Sequence, residues 1–114
     1  MQLFVYITPN PQVISPLMNE LLARGIPGAT TVDCRGMLSS IDSSEIEPPP
    51  IFGSLRQFLN PEHQAGKMVF IVMNDEDIPV ARDCVHHVCG NLKLPNTGVL
   101  FSVPVMNWEG VSHK

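Results

Sequence analysis

The sequence has 114 residues, a formal net charge of −4 and 44% hydrophobic residues. A chain of this length forms one domain with its own hydrophobic core and has no room for a second. Its apolar runs fall far short of the roughly 18 residues needed to span a membrane, and no basic segment precedes the first of them, so we expect a cytoplasmic protein without direct membrane insertion.

The basic residues and the cysteines exclude two further classes. The seven Lys and Arg residues are scattered along the chain, and no basic stripe exists that would neutralise a run of phosphates, so nucleic acid is not an expected partner. The cysteines, Cys34, Cys84 and Cys89, are odd in number and lie in segments typical of regular structure. This predicts reduced thiols that pack as small core residues, not a disulfide framework.

The first two predicted elements are a strand and a helix. Residues 3–8 are rich in β-branched and aromatic side chains and are closed by Pro9-Asn10-Pro11, which predicts a strand in the centre of the sheet. Apolar residues then recur at spacings of three and four as far as Gly25, which predicts a helix with one buried face. Its predicted start has Ser15 as N-cap and Pro16 as the first helical residue.

A strand and a long loop follow. Pro27-Gly28 predicts a turn into a β-branched strand that ends near Gly36. The loop that follows covers about residues 38–66, far more than the roughly 4 to 6 residues usual in compact domains. Its first half is rich in serine, acidic residues and proline and cannot build a core. Its second half is more apolar, and residues 51–59 fit either a short helix or an extension of the next strand.

The remainder of the chain again predicts a strand, a helix and a strand. Residues 68–73 form a continuous apolar run that is typical of a central strand. The acidic segment 74–77 has the chemistry of a helix cap and precedes a helical pattern that begins at Ile78 and stops at Gly90. Residues 99–105 predict the last strand, and Pro104, which lacks an N–H donor, places its end at a sheet edge or a strand terminus.

The order of these elements predicts an α+β fold. Two βαβ halves with right-handed crossovers make the ferredoxin-like βαββαβ arrangement, in which a four-stranded antiparallel sheet carries both helices on one face. The opposite face stays uncovered although the strands are apolar on both sides. Another copy of the same chain is the simplest cover for it.

The chain resembles the PII signalling family, and more closely its divergent PII-like branch. The similarity covers nearly the whole chain and is carried by five segments: residues 25–32, Arg35-Gly36-Met37, residues 68–75, Asn96-Thr97-Gly98 and residues 99–105. The resemblance implies a single PII-like domain over residues 1–114, with a T-loop at about 38–66 between strands 2 and 3.

The resemblance also implies a ligand and partners. A PII-like protein is a homotrimer that binds ATP, ADP, AMP or a related small anion in clefts between subunits, and its T-loop engages a membrane transporter or a metabolic enzyme. No cofactor is required. The nucleotide-binding residues implied by position are Gly28, Thr30, Gly36, Met37, Val72, Asn96, Thr97 and Gly98. Glycines suit this role because they let backbone N–H groups approach a phosphate.

The chain departs from the PII pattern where phosphates are neutralised. Val99 stands where members with tight ATP binding carry a lysine, and the near-neutral residues 105–108 replace a pair of arginines. A nucleotide of lower charge, or another small anion, is therefore favoured. Leu38 and Ser39 stand near the position of the glutamine involved with metal and 2-oxoglutarate, so we do not expect 2-oxoglutarate sensing.

Plainer interpretations compete with several candidate sites. Gly36 and Gly98 also suit simple turns, and Thr30 also suits a strand. Four candidate metal ligands crowd one predicted helix: Cys84, His86, His87 and Cys89. Their two pairs at a spacing of three point in different directions and no CxxC or HExxH pattern is present, so no metal site is predicted.

Two other function classes remain open. One is a trimer of the CutA type, which shares the fold without sensing nucleotides. The other is a small ferredoxin-like enzyme that uses Cys34 or a histidine, although the sequence has no nucleophile elbow, Walker motif or triad and predicts no catalytic residues. Saturable binding of adenine nucleotides favours the signalling protein, whereas nucleotide-independent turnover would favour the enzyme.

Overall fold

The computed structural model describes residues 1–36, 66–94 and 96–111. Six main elements follow one another in the described chain: β1 (Gln2–Thr8), α1 (Ile14–Ala23), β2 (Thr30–Cys34), β3 (Gly66–Met73), α2 (Ile78–Cys89) and β4 (Val99–Pro104). Met37, most of the predicted T-loop and the ambiguous segment 51–59 lie outside the described residues. Among the described helices, none has the length and apolar character that a membrane crossing requires.

The four strands form one antiparallel sheet in the order β2-β3-β1-β4. The apolar strands β1 and β3 occupy its centre and the proline-ended strand β4 forms an edge, as the sequence predicts. Opposed residues in antiparallel strands share a face, so the register of Tyr6 with Val69 and Leu100 places these three side chains together. The predicted ferredoxin-like βαββαβ fold is confirmed.

The hydrophobic core lies between the helices and one face of this sheet. Tyr6 and Phe4 of β1 are fully buried against Val69 and Ile71 of β3. The helices contribute five further buried residues: Leu17, Leu21, Ile78, Ala81 and Val85. Cys84 also lies in this core, as the sequence predicts.

The other face of the sheet is apolar, and the side chains that its edge strand β4 contributes remain exposed. By register it consists of Thr30, Val32 and Cys34 of β2, Met68, Phe70 and Val72 of β3, Leu3, Val5 and Ile7 of β1, and Val99, Phe101 and Val103 of β4. We call this the open face. Val99 is 60% exposed, Phe101 43% and Val103 41%. The apolar and uncovered second face that the sequence predicts is therefore present.

The predicted start of the first helix was wrong. A 3-10 turn, Pro11–Val13, continues directly into α1, which begins at Ile14 with Val13 in the N-cap position and no side-chain cap. Pro16 is consequently the third helical residue. The first-turn N–H groups of a helix have no intrahelical acceptor, so a proline at this position costs no hydrogen bond.

The predicted end of the first helix is confirmed. Gly25 has a φ of +84°, its N–H donates to the Leu22 carbonyl at 3.1 Å, and the Ile26 N–H donates to the Leu21 carbonyl at 2.9 Å. These two bonds form a Schellman motif, which needs a left-handed residue after the helix. The motif turns the chain sharply toward the start of β2, and Ile26 is buried at this turn.

Candidate functional site

A cleft of about 570 Å³ lies where the open face meets one end of the sheet. Its walls come from three parts of the chain. The turn after α1 contributes residues 25–28, and Thr30 of β2 and Phe70 and Val72 of β3 contribute open-face side chains. Asn74 and Asp77 close one side, and Gly110 and Val111 of the C-terminal segment close another.

Local structure explains why these segments meet. The Schellman motif turns the chain at Gly25, and a Cβ placed on Gly28 would meet no heavy atom within 4 Å apart from its own chain neighbours. The C-terminal segment is tied to the same end of the sheet, because the Val105 N–H donates to the Met1 carbonyl at 3.1 Å. Gly110 has a φ of +83°, a conformation that glycine adopts without strain.

The sequence-predicted residues Gly28, Thr30 and Val72 all line this cleft. Sequence reasoning missed the contributions of Asn74, Asp77, Gly110 and Val111. For Asn74 and Asp77 the sequence indicates a position in the cap of the second helix, but not a position in the cleft. The tail residues carried only a turn signal at Gly110, because their position depends on a contact with the opposite terminus.

The cleft has one ionisable wall residue among those that the structure describes, Asp77. It occupies the N-cap position of α2, and Asn74 occupies that of the 3-10 turn Asp75–Asp77. Neither side chain forms a capping hydrogen bond. Both residues are half-buried. The cleft therefore combines apolar walls with a small group of uncommitted polar atoms.

The second group of predicted residues, Asn96, Thr97 and Gly98, forms the loop before β4. The Tyr6 hydroxyl donates to the Thr97 carbonyl at 2.6 Å, and the Asn10 side-chain amide donates to the Asn96 carbonyl at 2.7 Å. In a planar trans peptide the N–H points opposite to the carbonyl. The N–H of Thr97 therefore points away from Asn10, and the N–H of Gly98 points away from Tyr6.

The threonine hydroxyl of this loop has a structural partner. Thr97 Oγ1 donates to the Leu94 carbonyl at 2.7 Å. Its single proton is thus committed within the loop, and any contact of Thr97 with a phosphate would come from its backbone N–H.

Gly98 is required by packing. Its φ is +119°, and a Cβ at this position would lie 2.4 Å from the Ile7 carbonyl oxygen and 2.8 Å from the Tyr6 ring. No larger residue fits without moving the backbone. The loop is consequently fixed against β1.

Tyr6 anchors this loop as a neutral hydroxyl. Burial, followed by a side-chain hydrogen bond with Cys89, raises the pKa of Tyr6 to about 12. The phenol therefore keeps its proton, and its donor function, across the physiological range of pH.

One chain does not bring the two groups of predicted residues together. Thr30 and Phe101 lie in line across the four strands of the sheet, on its two edge strands. Gly98 precedes Phe101 by three residues, so it is three residues and three strand spacings from Thr30, which corresponds to about 17 Å. Gly36 follows the far end of β2, at the opposite end of the sheet from the cleft.

The cysteine and histidine residues of α2 do not converge. Cys84 is buried, and desolvation raises the pKa of its thiol, whereas His86 and His87 are exposed. In residues 1–36, 66–94 and 96–111, no group of three or more His, Cys, Asp and Glu side chains is arranged to hold a metal ion.

Comparisons with known proteins identify the fold. No family model matches the sequence, and no curated protein matches it. Among solved structures, the chain is similar to the PII protein of Arabidopsis thaliana in a crystal structure bound to citrate. The similarity has a TM-score of 0.61 at 18% sequence identity, and it covers 91% of this chain and 73% of that one. The chain therefore has the PII-like form of the ferredoxin-like fold.

Proposed function

We propose that this chain is a PII-like signal-transduction protein rather than an enzyme. In this proposal it forms a homotrimer in the cytoplasm, binds an adenine nucleotide or a related small metabolite between subunits, and regulates a transporter or enzyme through the loop of about residues 38–66. The observation that carries the proposal is the placement of two complementary half-sites on opposite edges of one sheet.

The two half-sites differ in chemistry. The cleft beside Gly28, Thr30 and Val72 offers apolar walls suited to a planar base. The N–H groups of Thr97 and Gly98 offer donors suited to an anion. They lie about 17 Å apart in one chain, so one ligand would contact both only if a second copy supplied one of them.

The open face supports such an assembly. Exposed apolar side chains at Val99, Phe101 and Val103 gain from burial against another copy. The cleft borders this face through Thr30, Phe70 and Val72. Burial of the open face would therefore place the cleft at a boundary between subunits.

The charges of the anion half-site favour a ligand with few phosphates. Val99 directly follows Gly98 and is the first residue of β4, and its side chain lies on the open face. No lysine stands there to neutralise a triphosphate. Citrate in the similar PII structure is a small anion bound by a protein of this fold, which is consistent with AMP, ADP or a small organic anion as the ligand here.

The proposed output is the loop that follows β2. Gly36 stands between Cys34, the last residue of β2, and this loop, so a ligand that contacts Gly36 would alter the conformations open to the loop and thereby its affinity for a partner. Met37 would contribute to the same contact.

Binding measurements on the purified protein test the proposal. Light scattering with size exclusion should give three chains per particle, and calorimetric titration with ATP, ADP and AMP should show saturable binding of one ligand per chain. Gly36→Val should lower the affinity for a protein partner while the trimer stays intact. A stable monomer, or the absence of binding by these three nucleotides and by citrate, would refute the proposal.

A further inference from the structure

Two polar residues of the cleft have hydrogen-bonding capacity that the fold does not use. Asn and Asp side chains in N-cap positions usually accept a hydrogen bond from a backbone N–H one turn further on. Asn74 and Asp77 occupy such positions and neither does so. Both are half-buried and line the cleft. Their acceptor atoms are available to whatever occupies it.

The charge of the cleft selects which end of a nucleotide it receives. Asp77 is the one ionisable residue among its described wall residues and forms no ion pair with any described residue. Glu76 of the same turn adds negative charge nearby, whereas the charge of Asp75 is offset by the N-terminal ammonium at 3.0 Å. A carboxylate without a neighbouring cation disfavours a phosphate and accepts hydrogen bonds from donors. The cleft therefore suits the base, whose ring would pack on apolar walls such as Phe70 and Val72.

Resting on the proposed function, we propose that Asp77, assisted by Asn74, is a specificity-determining residue that accepts a hydrogen bond from the exocyclic amino group of a purine base. Adenine carries this group at C6 and guanine at C2. A base without the amino group leaves the half-buried acceptors unpaired, which is the situation in which a polar site discriminates strongly.

Matched ligands test the inference on the unaltered protein. ADP is compared with purine riboside diphosphate, which lacks only the 6-amino group, and GDP is compared with IDP, which lacks only the 2-amino group. Because hydrogen bonds to a charged acceptor are strong, the amino-bearing member of one pair should bind at least about tenfold more tightly. The pair that shows the larger ratio identifies the base. Equal affinities within both pairs would overturn the inference.

Matched variants then assign the effect to one residue. Asp77→Ala removes the acceptor without removing a helix cap, and its affinity ratio should fall to about one. Glu76→Ala is the control, because Glu76 lies in the same turn, is exposed and does not line the cleft. It should keep the ratio of the unaltered protein.

The outcomes separate this inference from the function on which it rests. Retention of the ratio in Asp77→Ala would refute the role of Asp77 while nucleotide binding stands. The comparison of ligands on the unaltered protein does not depend on the folding of any variant. If none of the four nucleotides binds, the nucleotide ligand of the proposed function is refuted and the inference fails with it.

Discussion

The Tyr6 hydroxyl donates a hydrogen bond of 2.6 Å to the carbonyl oxygen of Thr97, a residue 91 positions further along the chain. This bond joins the central strand of the sheet to the loop that leads into the edge strand β4. It also directs the Gly98 N–H away from the Tyr6 hydroxyl, since donor and acceptor of one peptide point in opposite directions. The proposed anion half-site therefore depends on a buried tyrosine in the first strand.

Tyr6→Phe should lower both stability and ligand affinity. The ring would still fill the core, but the Thr97 carbonyl would lose its donor, which costs about 1 kcal/mol in the free energy of unfolding. The loop would hold its N–H groups less firmly, so we expect weaker binding of ADP. Urea unfolding and calorimetric titration measure the two effects.

The control for this variant is Asn10→Ala. It removes the hydrogen bond from Asn10 to the Asn96 carbonyl, which is exposed, so the loss of stability should be smaller. An unchanged unfolding midpoint in Tyr6→Phe would show that the Tyr6 bond does not stabilise the loop.

Gly98→Ala should destabilise the protein more than Gly28→Ala does. Its Cβ would lie 2.4 Å from the Ile7 carbonyl oxygen at a φ of +119°. Strain of this kind costs about 1 to 3 kcal/mol. Thermal or urea unfolding measures the loss.

Gly28→Ala is the matched comparison. No other heavy atom lies within 4 Å of a Cβ at Gly28, so its stability should be unchanged or raised by up to about 1 kcal/mol. Because Gly28 lines the cleft, its affinity for nucleotide should nevertheless fall. Equal stabilities of the two variants would contradict the packing described for Gly98.

The sequence predicts the fold well where the signals are local. The apolar run of β3 and the glycine after α1 identify their elements without tertiary information, because strand burial and the Schellman motif each have a direct sequence signature. The start of α1 was wrong because proline is tolerated throughout the first helical turn, so Pro16 does not fix which residue comes first.

The candidate site could be predicted only in part. Gly28, Thr30 and Val72 came from the resemblance to PII proteins, and they line one cleft. Asp77 was assigned only to a helix cap, the usual role of such a residue, and its failure to form the cap becomes visible only in three dimensions. Gly110 reaches the cleft through a contact between the two ends of the chain, for which no local pattern exists.

The open face gives a prediction about assembly. Val103→Asp should convert the proposed trimer to monomers, because burial of a carboxylate without a partner against a neighbouring open face is costly. Leu22→Glu is the control, since Leu22 is a 64% exposed apolar residue of α1, away from the open face. It should leave the particle mass unchanged. Light scattering with size exclusion gives the masses, and a trimer that persists in Val103→Asp would exclude the open face as the interface.

The pKa of Tyr6 gives a prediction about alkaline stability. In the unfolded chain the pKa of tyrosine is about 10. In the folded state, burial and the side-chain hydrogen bond with Cys89 raise the pKa of Tyr6 to about 12. Between these values the folded protein holds a proton that the unfolded chain has lost, so stability is fully present below pH 10 and falls as the pH rises toward 12. The chain has one tyrosine, so the change in absorbance on phenolate formation reports Tyr6 alone.

Tyr6→Phe isolates this contribution from other groups that titrate at high pH. Its free energy of unfolding should fall less steeply than that of the unaltered protein over the same interval, because the variant has no phenol whose proton is retained only on folding. A phenolate transition near pH 10 in the folded protein, or parallel stability curves for the two proteins, would show that the hydroxyl of Tyr6 is accessible to water and does not hold the loop in the manner described.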